Sequence, residues 1–262
     1  MKIEDIHLDK LFSALEKDKY KIVGIYEQGS TVWGFADENS DRDLIVIWEN
    51  NYPSHINRQK SVLNAGGIDH EFKNIQAIKQ GVDMFEIDNK LINVGHIRKV
   101  EFFDIYKNLK NSQDYYQQKL LQIGGFVNAL IHYDPDDKLK KYQEEIKLTR
   151  EIVEKISAII KIELEYDLKL LTIAARRRST LRFFWQLYEV LNHMHIYYYL
   201  EKSEWVMSMK WFEKFAEKNQ WNDEFTDLIF KMQSNLDFDG VSDVILKVAK
   251  QWGFKPAVNH KA

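Results

Sequence analysis

The chain contains no cysteine, which excludes a disulfide framework, a thiolate metal site and a cysteine nucleophile. Proline is almost as scarce: three in 262 residues, with none between Pro135 and Pro256, where glycine occurs only at Gly240 and Gly253. No apolar run approaches the ~20 residues that a membrane helix needs. Charge of one sign is not in excess either. The 37 basic residues against 40 acidic ones leave a net charge of −3, which argues against a nucleic-acid coat. The first residues, Met1-Lys2-Ile3-Glu4-Asp5, lack the apolar core of a signal peptide. These absences predict a cytoplasmic protein with no membrane partner. What the chain has in quantity is aromatic side chains, 13% of residues with seven tryptophans, enough for an ample core and for stacking surfaces.

The periodicity divides the chain in two. Asp5 to Lys19 reads as an amphipathic helix with Ile6, Leu8, Leu11, Phe12 and Leu15 on its apolar side. From Lys21 to Ile97, short apolar runs alternate with turn residues such as Gly66-Gly67 and Asp88-Asn89, as in a mixed sheet. Lys99 to Lys110 and Gln113 to Ile123 read as helices, and Phe126 to Tyr133 as a return to strand. Beyond Pro135 the sequence is rich in Lys, Glu and Leu, with apolar residues recurring at three and four, the pattern of a helical bundle. The expected fold class is therefore α+β, a mixed-sheet domain over 1–135 followed by a helical bundle over 136–262.

The most informative segment runs from Gln28 to Asp43. Gly29-Ser30 closes one apolar run (Ile22, Val23, Ile25), and Asp41 and Asp43 open the next, Leu44-Ile45-Val46-Ile47-Trp48. Residues i and i+2 of a strand share a face, so the two carboxylates can aim at one point. Two such charges beside a buried strand are costly unless a cation lies between them. A hard divalent ion, Mg²⁺ above all, is the natural occupant, with substrate phosphates completing its shell. Backbone N–H groups and the hydroxyl at Gly29-Ser30 could cradle such a phosphate. The blander alternative is turn and cap chemistry at Asn39-Ser40-Asp41.

Gly29-Ser30 followed by Ser40-Asp41-Arg42-Asp43-Leu44-Ile45-Val46 resembles the signature of the polymerase-β-type nucleotidyltransferase superfamily, and among its members the small bacterial aminoglycoside and lincosamide nucleotidyltransferase-like proteins. The resemblance implies transfer of a nucleoside monophosphate from a nucleoside triphosphate to a hydroxyl of a small, antibiotic-like or sugar-like acceptor. It implies that Asp41 and Asp43 are catalytic and hold Mg²⁺, with Mn²⁺ the alternative ion, and that Gly29, Ser30 and Ser40 bind nucleotide. Leu130-Ile131-His132-Tyr133-Asp134-Pro135 is similar to the last strand of such a domain. Leu191-Asn192 and Met209-Lys210-Trp211-Phe212 are similar to the helical part of related bacterial proteins, which makes Lys210 a phosphate candidate. Many resembling enzymes build their cleft across a dimer, so a homodimer is compatible with this reading.

A third carboxylate, usual on a later strand of the superfamily, has no clear counterpart. The hairpin Val82–Ile97 should supply that strand, and its matching segment, Leu91-Ile92-Asn93-Val94-Gly95-His96, offers Asn93. Asp83, Glu86, Asp69 and Glu71 are the other acids within reach in sequence. Among helical carboxylates, Glu189 and Glu145 are candidates for the general base that the resemblance implies, and Glu189 is preferred. Arg178 and Arg182 would form a fork one helical turn apart, against the alternative of a solvated face. The aromatics Phe183, Phe184, Trp185, Tyr188 and Tyr197 to Tyr199 should be mostly core. His193 and His195, at i and i+2 of a helix, should not converge on a metal. Besides the small-molecule transferase, two readings stay open: an antitoxin-type enzyme that modifies a protein, and a nucleotide-binding module that has lost turnover.

Overall fold

A computed structural model describes residues 20–38, 40–75, 80–111, 117–232 and 238–253. The helix expected over Asp5 to Lys19, Asn39, the start of the helix expected from Gln113, and the chain beyond 253 lie outside the described residues. The fold is α+β, as the sequence pattern implied, and it divides into two compact units, 1–147 and 148–262.

The first unit is a six-stranded mixed sheet: β1 (Ile22–Gln28), β2 (Arg42–Trp48), β3 (Ile68–Ile75), β4 (Gln80–Ile87), β5 (Lys90–Arg98) and β6 (Leu130–Tyr133), in the order β3-β4-β5-β2-β1-β6. β2 and β5 pair in parallel; the remaining pairs are antiparallel. Central strands covered on both faces need apolar residues throughout. The runs Ile22-Val23 and Val46-Ile47-Trp48 meet that need, each residue being at most 4% exposed. The β4–β5 hairpin turns at Asp88 and Asn89 with φ of +53° and +60°, the backbone of a two-residue primed turn for which Asp and Asn are suited.

One face of the sheet carries Leu44, Val46, Trp48, Phe85, Ile92 and Val94, packed with Val62 of α2 (His55–Asn64); α1 is the short helix Ser30–Trp33 after β1. The helices α3 (Lys99–Asn111), α4 (Gln117–Val127) and α5 (Lys138–Glu145) complete the unit. Two boundaries differ from the sequence reading. Helix α4 runs on to Val127, so the strand expected from Phe126 starts only at Leu130. Helix α5 belongs with the sheet, because Leu139 is fully buried, the Tyr142 hydroxyl donates to the carbonyl of Phe103 at 2.9 Å, and Gln143 Nε2 donates to the carbonyl of Phe126 at 2.8 Å. The units therefore divide at 147/148 rather than at 135/136.

The second unit is helical. In α6 (Arg150–Arg176) the buried stripe Ile152, Ile156, Ile160, Leu164, Leu168 and Leu171 follows the four- and three-residue spacing of one helix face. Thr149 caps its start by accepting the N–H of Ile152 at 3.3 Å. Next come α7 (Thr180–Glu201), α8 (Phe212–Lys218), α9 (Glu224–Met232) and α10 (Phe238–Gln251). The aromatic series on α7 splits: Phe183 and Tyr197 to Tyr199 are buried, whereas Phe184, Trp185 and Tyr188 are 47%, 67% and 58% exposed. Arg178 and Arg182 do not share a helix. Arg178 is the left-handed residue (φ +49°) of the turn between α6 and α7, where the chain must reverse. His193 bridges Asp167 and Glu163 on α6, at 2.9 and 3.1 Å, while His195 is buried beside Tyr199 and Phe212 with its pKa pushed down to about 3 by burial. Among the described residues, no helix is long and apolar enough to cross a membrane.

Candidate active site

The candidate site forms where β1 ends and β2 begins. Gly29 takes φ +94° and ψ −168°, backbone open in practice only to glycine. A side chain would also collide there, since a Cβ on Gly29 would lie 2.6 Å from Oδ2 of Asp43. Turn and carboxylate are thus in contact. The chain then winds into α1, with the Trp33 N–H donating to the Gly29 carbonyl at 3.1 Å, and the Thr31 hydroxyl ties this helix to the Asp41 carbonyl at 3.3 Å.

The sheet register does the rest. Asp43 sits between Gln28 of β1 and Asn93 of β5. Asn93 Nδ2 donates to Oδ2 of Asp41 in a short contact and approaches Oδ1 of Asp43 at 3.3 Å. The Asp-x-Asp pair therefore does converge, and the point of convergence is marked by an amide nitrogen. Asn93 thus stands opposite both aspartates, on the strand from which the family resemblance implies a third acid.

The other acids considered for that place are elsewhere. Asp83 pairs with Val94, one residue out of step with Asn93, so it points to the opposite face, where it is 2% exposed. Glu86 shares the Asn93 face but lies 3.7 Å from His70 Nε2, and Glu71 pairs with Lys73 at 2.9 Å. The side chain of Asp69 lies outside the described residues. Among the described residues there is no cluster of three or more His, Asp or Glu able to hold a metal.

Of the remaining sequence candidates, Ser30 and Ser40 belong to the first unit and Glu189 and Lys210 to the second. Ser30 is buried. Ser40 is engaged in turn chemistry, its hydroxyl donating to Asp37 Oδ1 at 2.8 Å and accepting the Asp37 N–H at 2.9 Å. Glu189 is half-buried on α7, and Lys210 is exposed with its ammonium 5.1 Å from the Trp211 ring; both belong to the second unit.

Two buried charge networks behind the site escaped the sequence reading. Arg42, between the two aspartates in sequence, faces the other way and grips Glu27 with two hydrogen bonds of 2.8 and 2.6 Å; His132 of β6 reaches the same carboxylate at 2.9 Å. Burial opposes the charged form of Glu27, but Arg42 and His132 outweigh it and hold the carboxyl below its ordinary range. Alternation alone was the available signal, since a residue between two that face a site must face away from it. In the second network Asp83 accepts from Arg58 Nε at 2.8 Å and from His96 Nε2 at 2.8 Å. The Trp48 indole N–H, which can only donate, meets His96 Nδ1 at 3.1 Å, so the neutral ring carries its proton on Nε2. Burial holds His96 below its ordinary pKa; at Asp83, burial is outweighed by His96 and Arg58, and the carboxyl is lowered.

No protein-family model matches this chain, and no curated protein matches it. Among solved structures, it is similar to a nucleotidyltransferase-like protein from Exiguobacterium sibiricum 255-15, at 11% identity, over 95% of this chain and 73% of that one, with a TM-score of 0.47.

Proposed function

We propose that the first unit binds the polyphosphate of a nucleoside triphosphate at the edge formed by Gly29, Asp41 and Asp43, and transfers the nucleoside monophosphate to a hydroxyl of a small molecule. One observation carries this: two carboxylates meet at a single point in contact with a glycine-only turn. The donor set suits a hard divalent cation. Asp41 and Asp43 would hold it, and rotating the Asn93 amide would replace the nitrogen with Oδ1, a neutral oxygen ligand. Bound there, Mg²⁺ or Mn²⁺ would neutralise charge on the phosphates.

In the transfer, the acceptor oxygen bonds to the α-phosphorus while the α–β bridging P–O bond breaks and pyrophosphate departs with its electron pair. The hydroxyl proton passes to a general base. The amide at Asn93 favours a second reading, nucleotide binding without turnover, because the carboxylate that could have activated the hydroxyl is absent from that position. Labelled ATP, GTP, CTP and UTP supplied with Mg²⁺ separate the two. Pyrophosphate release that disappears in Asp41→Asn and Asp43→Asn supports transfer. Metal-dependent binding with no release supports the module. Unchanged nucleotide binding in both variants removes the site altogether.

A further inference from the structure

A cavity of about 200 Å³ lies on the same face of the sheet as the two carboxylates, between the strands and helices α3, α4 and α5. Its floor begins with Ile45, the next residue after Asp43 on that face and about 7 Å further along β2. Gln28, the cross-strand neighbour of Asp43, lines it too. Thus the cavity continues from the site rather than lying apart from it.

Four properties define what it would accept. The walls are aromatic: Tyr26, Phe102, Phe126 and Tyr142 surround it, with Tyr26 and Phe126 edge to face at 5.0 Å and Phe102 and Phe126 at 4.9 Å. None of the described lining residues carries a charge, so phosphate is unwelcome there. The side-chain amide oxygen Oε1 of Gln28 is buried with no hydrogen-bond partner among the described residues, which leaves one acceptor to be satisfied by an incoming N–H or O–H. Volume limits the guest. A dry cavity of about 150 Å³ takes one benzene, and drug-sized ligands need roughly 300 Å³ or more, so this one holds a single ring system. The space depends on glycine: a Cβ on Gly95 would lie 2.6 Å from Ile45 Cδ1, and one on Gly125 would lie 2.3 Å from Gln28 Oε1.

We propose that this cavity is the ring subsite of the candidate active site, taking one flat, uncharged ring that donates a hydrogen bond to Gln28 while the charged part of the same reaction complex stays outside at Asp41 and Asp43. The inference rests on the proposed site for its catalytic meaning. The ring is either the nucleobase or a ring of the acceptor.

The test uses the full chain with methyl-labelled isoleucine, free adenine, uracil and phenol as ring probes, and Mg²⁺–tripolyphosphate as the ring-free probe. A bound ring should shift the Ile45 and Ile123 methyl signals of the wild-type protein, and Ile45→Phe and Ile123→Phe, filling the space from opposite walls, should each weaken ring binding about tenfold. If ATP or UTP binds more tightly than tripolyphosphate and both variants erase that advantage, the guest is the base. If free rings are lost while any such advantage survives, the guest belongs to the acceptor. Rings that shift neither methyl, or that bind both variants as they bind the wild type, overturn the proposal; the methyl readout decides even if a variant fails to fold. Tripolyphosphate binding that persists in both variants but is lost in Asp41→Asn reports the carboxylate site separately. Its absence from the wild type would sink the proposed site without touching the ring result.

Discussion

Asn93→Asp is the most revealing single change, because it tests convergence directly. In the present arrangement the amide nitrogen donates to both aspartates. Replacing it removes those two charge-assisted hydrogen bonds, worth about 1.5–3 kcal/mol each at full strength, and puts a third carboxylate in their midst. Two unit charges at 4 Å repel by roughly 4 kcal/mol at the effective dielectric of a protein surface. All three residues are half-buried, and a raised pKa would let one acid hold a proton, so the realised penalty is well below that sum. About 3 kcal/mol is a fair expectation, or roughly 6–12 °C in the melting of a unit this size. A divalent cation should offset most of that penalty. With three acids the site binds it more tightly than the native set does, and saturation at a hundred times Kd returns about 2.7 kcal/mol. Calorimetry of wild type and Asn93→Asp, each in chelator and in millimolar Mg²⁺, reads both effects. A variant that melts with the wild type in chelator and ignores Mg²⁺ would falsify convergence of these side chains.

Other changes bear on the scaffold and the turn. Gly29→Ala forces a side chain into a glycine-only conformation and against Asp43, so it should cost about 1–3 kcal/mol and also weaken metal-dependent nucleotide binding, measured by melting and by titration. Arg58→Met strands the buried Asp83 charge and should destabilise the first unit by about 3–5 kcal/mol in denaturant; Arg58→Met with Asp83→Leu should recover much of it. The carboxyls of Glu27 and Asp83 have lowered pKa values, so their contribution is present above the ordinary carboxylate range and is lost as pH falls through their depressed values. Glu27→Gln, less stable at neutral pH, should therefore show a shallower acid limb when denaturation midpoints are plotted against pH.

Local geometry was legible in the sequence wherever a short-range rule governed it. The hairpin at Asp88-Asn89 and the alternation at Asp41 and Asp43 follow from turn chemistry and a period of two, whereas Asn93 opposite them was suggested by the family resemblance alone. What was hidden depends on pairing across the sheet. Nothing near Arg58 in sequence announces Asp83, twenty-five residues on, and nothing near Glu27 announces His132 on the far edge strand. The misplaced boundary has the same origin: Pro135 marks a helix start, but only the burial of Leu139 and the Tyr142 hydrogen bond to Phe103 reveal which unit that helix serves. No local physical constraint in the sequence singles out Lys210 or Glu189, and neither is tied to Asp41 by anything in the sequence.

The middle residue of Asp41-Arg42-Asp43 explains why the flanking acids can be held so close together. Two like charges tend to pull the start of β2 apart, and a strand end frays unless something fixes it. Arg42 supplies that fixing from the opposite face, because its fork locks onto Glu27 in β1 and the same carboxylate is held by His132 in β6. Three strands are thereby joined directly behind the acids, in a buried place where a bidentate guanidinium–carboxylate pair is geometrically exacting. Lysine could carry the charge but not the fork. Arg42→Lys should accordingly leave the fold intact while loosening the aspartates, seen as weaker metal-dependent nucleotide binding out of proportion to the loss in melting temperature. If affinity and stability instead fall together, or affinity is untouched, the clamp supports the sheet alone and the acids owe their closeness to Asn93.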